Sequence, residues 1–225
     1  MKKQSALVIG ASRGIGIAVV KHLSAQEINV VATWNTTEPD YKDSHVIWLQ
    51  ADITQNDSIL SLKSVCAGRC FDFILVNAGV YGPEHQDPQL IGRNETEFLF
   101  TVNAVAPVKA MKTLMPLLRD NHKGVAGIMS SRLASLKENP KADMPLYAAS
   151  KAALNVLTRS LLEATQEHGI TLLSLHPGWV KTDMGGSNAP VEAYESAAGI
   201  VSQLMRYRGR GGHHFTDYAG GELEW

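Results

Sequence analysis

Seven short apolar runs, separated by longer segments of helical period, set the tightest limit on how this chain can fold. The runs are residues 6–10, 30–33, 46–50, 71–77, 125–129, 170–176 and, more faintly, 213–216. Most carry few polar side chains, the pattern of strands covered on both faces. Segments of helical period lie at 15–25, 58–67, 95–118, 146–167 and 191–205. Strand and helix in alternation demand a mainly parallel sheet with right-handed crossovers. Segment 34–45 breaks the rule. It holds Thr36, Thr37, Pro39 and Asp40 and no helical period, so this crossover is expected to lack a helix. No repeat, linker or low-complexity tract divides the 225 residues, and the most loop-like stretch is KENPKADMP at 137–145. The expectation is one α/β domain over 1–225. It is a doubly wound parallel sheet of about seven strands in a three-layer sandwich, with helices on both faces.

Charge and composition remove several classes of function. The formal net charge is −1, so no long-range field draws the chain to nucleic acid or to an anionic membrane. No apolar stretch approaches the roughly 20 residues of a membrane span. The N-terminal MKKQSALVIG reaches glycine too early for a secretory segment, so a cytoplasmic chain is expected. Cys66 and Cys70 stand four apart, so on a helix they would share one face, and no further Cys or His lies nearby to complete a site. They read as structural, and no metal is expected. Arg206, Arg208, Arg210, His213 and His214 read as solvated tail or edge-strand residues rather than an anion or metal site.

The first run ends in Gly10, and Ala11-Ser12-Arg13-Gly14-Ile15-Gly16 lead into a helical segment. Gly10 permits a tight turn, Gly14 lets backbone approach a pyrophosphate, and Gly16 lets the helix close on the strand. Free N–H groups at the helix start then face an anion. The same glycines would serve a plain strand-to-helix turn, but strand before and helix after favour a Rossmann-type dinucleotide site. Thr33-Trp34-Asn35 ends the second run without the acid that NAD requires there, and Arg13 stands in the loop. A nearby cation suits a 2′-phosphate, so NADP(H) is favoured over NAD(H). The alternative is that Arg13 is a solvated loop residue.

Tyr147 and Lys151 stand at i and i+4, on one helix face. A free phenol titrates near 10 and is a poor base at neutral pH. A neighbouring ammonium and a positively charged oxidised nicotinamide would pull it down and fit it for proton transfer. By itself such a pair is common on surface helices.

Taken in order, these motifs resemble the short-chain dehydrogenase/reductase family. The glycine pattern G-x3-G-x-G matches, as do Ala51-Asp52-Ile53 after the third run and Asn77-Ala78-Gly79 at the end of the fourth. Tyr147-Ala148-Ala149-Ser150-Lys151 and His176-Pro177-Gly178-Trp179-Val180-Lys181-Thr182 complete the series. The resemblance implies that Asp52 and Ile53 meet the adenine end of the cofactor. It puts Asn77, Ala78 and Gly79 beside the cofactor, and Pro177, Gly178, Val180 and Thr182 near its carboxamide. It implies Asn103, Ser131, Tyr147 and Lys151 as catalytic residues, with Ser131 and Tyr147 also binding the substrate oxygen. Asn103 would hold a water that links the lysine to solvent. Ser131 lies three residues further from Tyr147 than the family's spacing, which would fall on Ala134. The insertion at 137–145 accounts for the excess, and Ser130 and Ser135 remain alternatives.

Ser131-Arg132-Leu133, the short second crossover and the ending YAGGELEW most resemble a subgroup of C-factor signalling proteins and sniffer-type carbonyl reductases. That implies an oxidoreductase acting on a small-molecule carbonyl or alcohol. The short segment 183–190 implies an open substrate site. A cofactor-binding signalling protein with little turnover is the alternative. A methyltransferase would want an acid after the second strand and has no use for the Tyr–Lys pair. By the same resemblance, the helical segments 95–118 and 146–167 would form the interface of a homodimer or homotetramer.

Overall fold

The computed structural model describes residues 3–119 and 123–225, so Met1 and Lys2 of the N-terminal segment lie outside the description. The strands are β1 (Ser5–Ile9), β2 (Asn29–Trp34), β3 (Val46–Gln50), β4 (Phe73–Val76), β5 (Val125–Met129), β6 (Thr171–His176) and β7 (His213–Asp217). They form one parallel sheet in the order β3-β2-β1-β4-β5-β6-β7. This is the Rossmann-type doubly wound order. The chain runs outward from β1 to β3, returns, and continues from β4 on the other side. The crevice at such a reversal opens at the carboxyl ends of β1 and β4. The glycine loop leaves β1 there, and Asn77–Gly79 leave β4.

The helices are α1 (Gly14–Ala25), α2 (Asn56–Val65), α3 (Arg93–Phe100), α4 (Ala106–Leu114), α5 (Pro145–Arg159), α6 (Leu162–Gln166) and α7 (Ala193–Arg206). They pack in two layers. Val19, Val20 and Leu23 of α1 and Ile200, Val201 and Leu204 of α7 seal one face of the sheet. Ile59 and Leu62 of α2, Met111 and Leu114 of α4 and Leu154 of α5 seal the other. Between β2 and β3 there is no helix, as the missing period foretold. Tyr41 bridges instead: its carbonyl oxygen accepts Trp48 Nε1–H at 2.9 Å, and its hydroxyl lies 2.8 Å from Ser24 Oγ.

Two expected helices prove segmented. Segment 95–118 divides into α3, a π-turn at Thr101–Val105, α4 and a 3₁₀ turn at Met115–Leu117. Segment 146–167 divides into α5 and α6. The surface reading of the C-terminal cations holds for the exposed Arg206 and Arg210 and needs correction for Arg208. Arg208 and Arg119 both pair with the buried Asp72 carboxylate, at 3.0 and 3.1 Å, and tie the start of β4 to the segments that follow α7 and the 3₁₀ turn. Cys66 is buried and Cys70 exposed, both as free thiols. Among the described residues no three metal-ligating side chains gather, and no helix is long and apolar enough to cross a membrane.

Two histidines at the outer strands tie stability to pH. His213 Nε2 lies 3.0 Å from Ser174 Oγ. The Nδ1 atoms of His213 and His176 have no hydrogen-bond partner among the described residues. Burial pushes both rings down to about 4 from the ordinary 6.5. The charge of Arg132 adds to this for His176, and that of Arg159 for His213, while Asp217 pulls His176 partly back. The unfolded chain takes up these protons at higher pH than the folded one. Their contribution to stability is therefore present above 6.5 and is lost as pH falls toward 4. Each ring accounts for at most about 3 kcal/mol. Denaturant midpoints measured across that window should fall steeply, and less so in His176→Gln. A flat profile would disprove the coupling.

Candidate active site

The glycine loop is tied from both sides. Gly10 N–H donates to Thr33 Oγ1 at 3.1 Å, and Asn77 Nδ2 donates to Gly10 O at 2.7 Å. Gly10 has φ +75°, and a Cβ there would lie 2.7 Å from Ala78 N. A Cβ at Gly16 would lie 2.4 Å from Gly10 O, so α1 could not reach its place with any side chain at that position. Helix α1 begins with no side-chain cap and no acid in its first turn. Its N-terminal amides are left for an external anion.

These features border a cavity of about 410 Å³. Gly10, Ser12, Arg13, Gly14 and Ile15 form its glycine-loop wall. Asn35, Asp52 and Ile53 lie toward the β2–β3 end, and Asn77, Ala78 and Gly79 along the middle. Tyr147, Lys151, Pro177 and Thr182 close the far side. Three expected cofactor contacts and the expected substrate contact Ser131 do not line it, whereas Ser130 does. Gly16 packs α1 on β1, Gly178 packs against the Tyr218 ring, and Val180 bridges to Val191. Asp52 also works locally: its Oδ1 accepts the Thr54 N–H at 2.8 Å and the Thr54 hydroxyl at 2.7 Å.

An elongated groove bounded by uncapped amides and close-approach glycines fits a dinucleotide. Arg13 is paired with Asp183 at 2.9 Å, with side chains 74% and 80% exposed. Such a pair is worth about 0–1 kcal/mol, little enough for a phosphate to displace the carboxylate.

Tyr147 sits in the first turn of α5, with Lys151 one turn on. Lys151 Nζ is buried, donates to Met129 O at 3.0 Å and lies 5.8 Å from the Tyr147 ring centre. Burial pulls Lys151 down to about 8. It pushes Tyr147 up to about 12, and a hydrogen bond with Ser131 draws it part of the way back. The expected downward shift of the phenol is therefore absent from the protein alone. Desolvation dominates, and the phenol is held as an acid. A positive charge beside the ring would be needed to reverse this.

Of the three serines, Ser131 is the one whose hydroxyl draws the Tyr147 phenol down, while Ser130 lines the groove. Ser130 donates to Asn155 Oδ1 at 2.8 Å, and Ser135 Oγ accepts the Glu138 N–H at 3.1 Å. The extra residues before Tyr147 fold on Asn139, which is buried and bonds Leu133 O, Asp143 O and Asp143 N–H. Asn103 lies inside the π-turn. Pro107 has no N–H to send back to the Asn103 carbonyl oxygen, so a regular α-helix cannot run through this point. The Asn103 side chain pairs with Val80, accepting its N–H and donating to its O, both at 2.8 Å, and reaches Ser150 Oγ at 3.0 Å. Ser150 Oγ in turn donates to Tyr147 O at 2.7 Å.

A second cavity of about 440 Å³ adjoins the first, walled by Tyr81, Pro83, Phe98 and Met184 with Glu95. The Tyr81 ring stacks on Tyr147 at 6.2 Å. Neither Tyr81 nor Gln86, which bonds the Tyr147 amide, stood out in the sequence. The only signal was their position just after Asn77–Gly79.

A Rossmann-type sheet with a glycine loop at its reversal point and a Ser-Tyr-Lys-Asn cluster across the crevice defines a class of oxidoreductase. The short chain dehydrogenase family model matches residues 4–193, and the chain belongs to that family. The C-signal of Myxococcus xanthus is 34% identical over 164 residues, which is 72% of this chain and 96% of that protein. A carbonyl reductase from Pseudomonas aeruginosa PAO1, solved in complex with NADP, is 36% identical, with TM-score 0.90 and full coverage of both chains. The carbonyl reductase Sniffer of D. melanogaster is 28% identical, with TM-score 0.86 over 99% of this chain and all of that one.

Proposed function

We propose that the chain, as one domain over 1–225, is a cytoplasmic NADP(H)-dependent carbonyl reductase that interconverts a small carbonyl compound and its alcohol. The observation that carries this reading is the Tyr147–Lys151 pair in the wall of a groove fitted for a dinucleotide, with Ser131 within hydrogen-bonding influence of Tyr147. The bound nicotinamide supplies or accepts the hydride. Tyr147 holds the proton at its phenol oxygen and donates it to the carbonyl oxygen, or recovers it from the alcohol. Ser131 donates a hydrogen bond to the same oxygen. Lys151 orients and charges the cofactor-facing wall, and Asn103 fixes Val80 and the helix that carries Tyr147.

The test is oxidation of NADPH, followed optically, against a panel of aldehydes and ketones. Absence of turnover with every member would sink the proposal. The resemblance to C-signal favours a second reading, a cofactor-binding signalling protein with little turnover. Such a protein needs the glycine loop but not Tyr147 and Lys151. It would bind NADPH in the same assay and consume none.

Arg13 supports the choice of NADP(H), since no acid follows β2 at Asn35. Arg13→Ala should raise the KM for NADPH by about 10–100-fold, the loss of one or two charge-assisted hydrogen bonds. The KM for NADH should barely move. Equal changes for both cofactors would refute the assignment. A homodimer or homotetramer is further supported by Val105 and Val156, which stay 43% and 72% exposed on the long helical segments. Sedimentation would read the state directly.

A further inference from the structure

The first turn of α5 carries Tyr147, yet the residue that should cap it cannot. The cap position is Met144, which stands in the left-handed region at φ 50° and offers no side-chain acceptor. Pro145 has no N–H, and the Ala148 N–H already reaches Met144 O at 2.8 Å. The Tyr147 amide occupies the position that an N-cap side chain normally serves. Its partner is Gln86, from a loop 61 residues earlier, whose Oε1 accepts the Tyr147 N–H at 2.9 Å.

The other end of the Gln86 amide faces the opposite way. Nε2 donates to Pro83 O at 2.8 Å and to Tyr81 O at 3.3 Å. Gln86 is buried and sits at φ 51°, an uncommon conformation for a residue with a side chain. Its surroundings want one acceptor and one donor group, which a carboxamide provides and a carboxylate does not. The loop it pins carries Tyr81, the ring that stacks on Tyr147 and walls the adjoining cavity.

We infer that Gln86 is a positioning residue. One amide caps the helix that aims the Tyr147 phenol and holds the Tyr81 wall against which a carbonyl substrate would rest. This rests on the reading of Tyr147 as the proton donor. Gln86 touches neither substrate nor cofactor; it acts through the Tyr147 backbone on one side and the Tyr81 loop on the other.

The two sides can be separated. Gln86→Ala removes both, and should lower kcat about tenfold or more, the scale of a small misplacement of a reacting group. It should also raise the KM for the carbonyl and leave the KM for NADPH unchanged. Gln86→Glu keeps the acceptor for the Tyr147 amide but presents oxygens to Tyr81 O and Pro83 O. It should therefore recover most of kcat while the carbonyl KM stays high. Exchange of the Tyr147 amide with solvent should quicken in Gln86→Ala and not in Gln86→Glu. Wild-type kcat and carbonyl KM in Gln86→Ala would overturn the inference. So would equal losses in both variants that extend to the KM for NADPH, which would mark a general loss of structure. A wild type inert to every carbonyl would overturn the reading of the site and this inference together, whereas an active wild type with an indifferent Gln86→Ala overturns the inference alone.

Discussion

Tyr147→Phe is expected to lower turnover by about 10²–10⁴-fold while leaving NADPH binding intact. The ring would remain, stacked on Tyr81 and beside Lys151, so packing changes little. What disappears is the phenol that the proposed mechanism uses to exchange a proton with the substrate oxygen, together with its interaction with Ser131. Burial holds this phenol as an acid, so reduction of a carbonyl draws on a proton already in place at neutral pH. The reverse reaction needs the phenolate and should gain more from alkaline conditions than reduction does. Single-turnover rates with NADPH, set beside NADPH affinity from fluorescence, would separate chemistry from binding. Substantial turnover in the variant would mean that some other group moves the proton.

Gly16→Ala is expected to damage fold and cofactor binding together. The new methyl would fall 2.4 Å from Gly10 O, 2.8 Å from Ala11 Cα and 2.8 Å from Asn77 Nδ2. Two of these neighbours are backbone and cannot turn aside. Helix α1 must move off β1, at a cost of about 1–3 kcal/mol or more, as overpacked sites show. The same movement carries the helix amides away from the pyrophosphate position, so NADPH affinity should fall by more than the stability loss alone implies. Gly92→Ala is a fair control, because a Cβ there meets nothing nearer than 3.5 Å. Melting temperature and NADPH titration would report both effects. A Gly16→Ala protein with normal binding would show that the close approach is not required.

The parts of this molecule that depend on near neighbours in the chain were legible in the residues alone. Strands β1, β2, β4, β5 and β6 announce themselves because both faces are covered and few polar side chains are tolerated, whereas β3, at the edge opposite β7, shows as an apolar run although Ile47 stays exposed. Strand β7, at the sheet edge, mixes His213, His214 and Asp217 with Phe215 and speaks faintly. The glycine loop and the Tyr147–Lys151 pair are local motifs and could be read directly. The break between α3 and α4 was hidden, because apolar period continues through Thr101–Leu114, and only Pro107 hinted at it.

What could not be read depends on contacts between distant segments. The selection among Ser130, Ser131 and Ser135 turns on Asn155 and Tyr147, which α5 brings to the end of β5. The pairing of Arg13 with Asp183 spans 170 positions. The direction of the Tyr147 shift follows from burial, which no spacing rule contains. Arg208 looked solvated because its partner Asp72 lies 136 positions away, just before β4.

The π-turn at Thr101–Val105 makes the length of this segment a property of the site rather than of the helix. Its signature bond runs from the Ala106 N–H to Thr101 O, one residue further than an α-turn would reach. That surplus residue resets the angular phase of the spiral, so α3 and α4 need not present the same face. Leu99 can turn to the core on one side of the turn and Met111 on the other, while Asn103 points at Val80 between them. Side chains along the turn can vary in kind so long as their number is kept. A segment one residue shorter would close into an even spiral, and everything upstream of it, including the Phe98 wall of the adjoining cavity, would face a different direction.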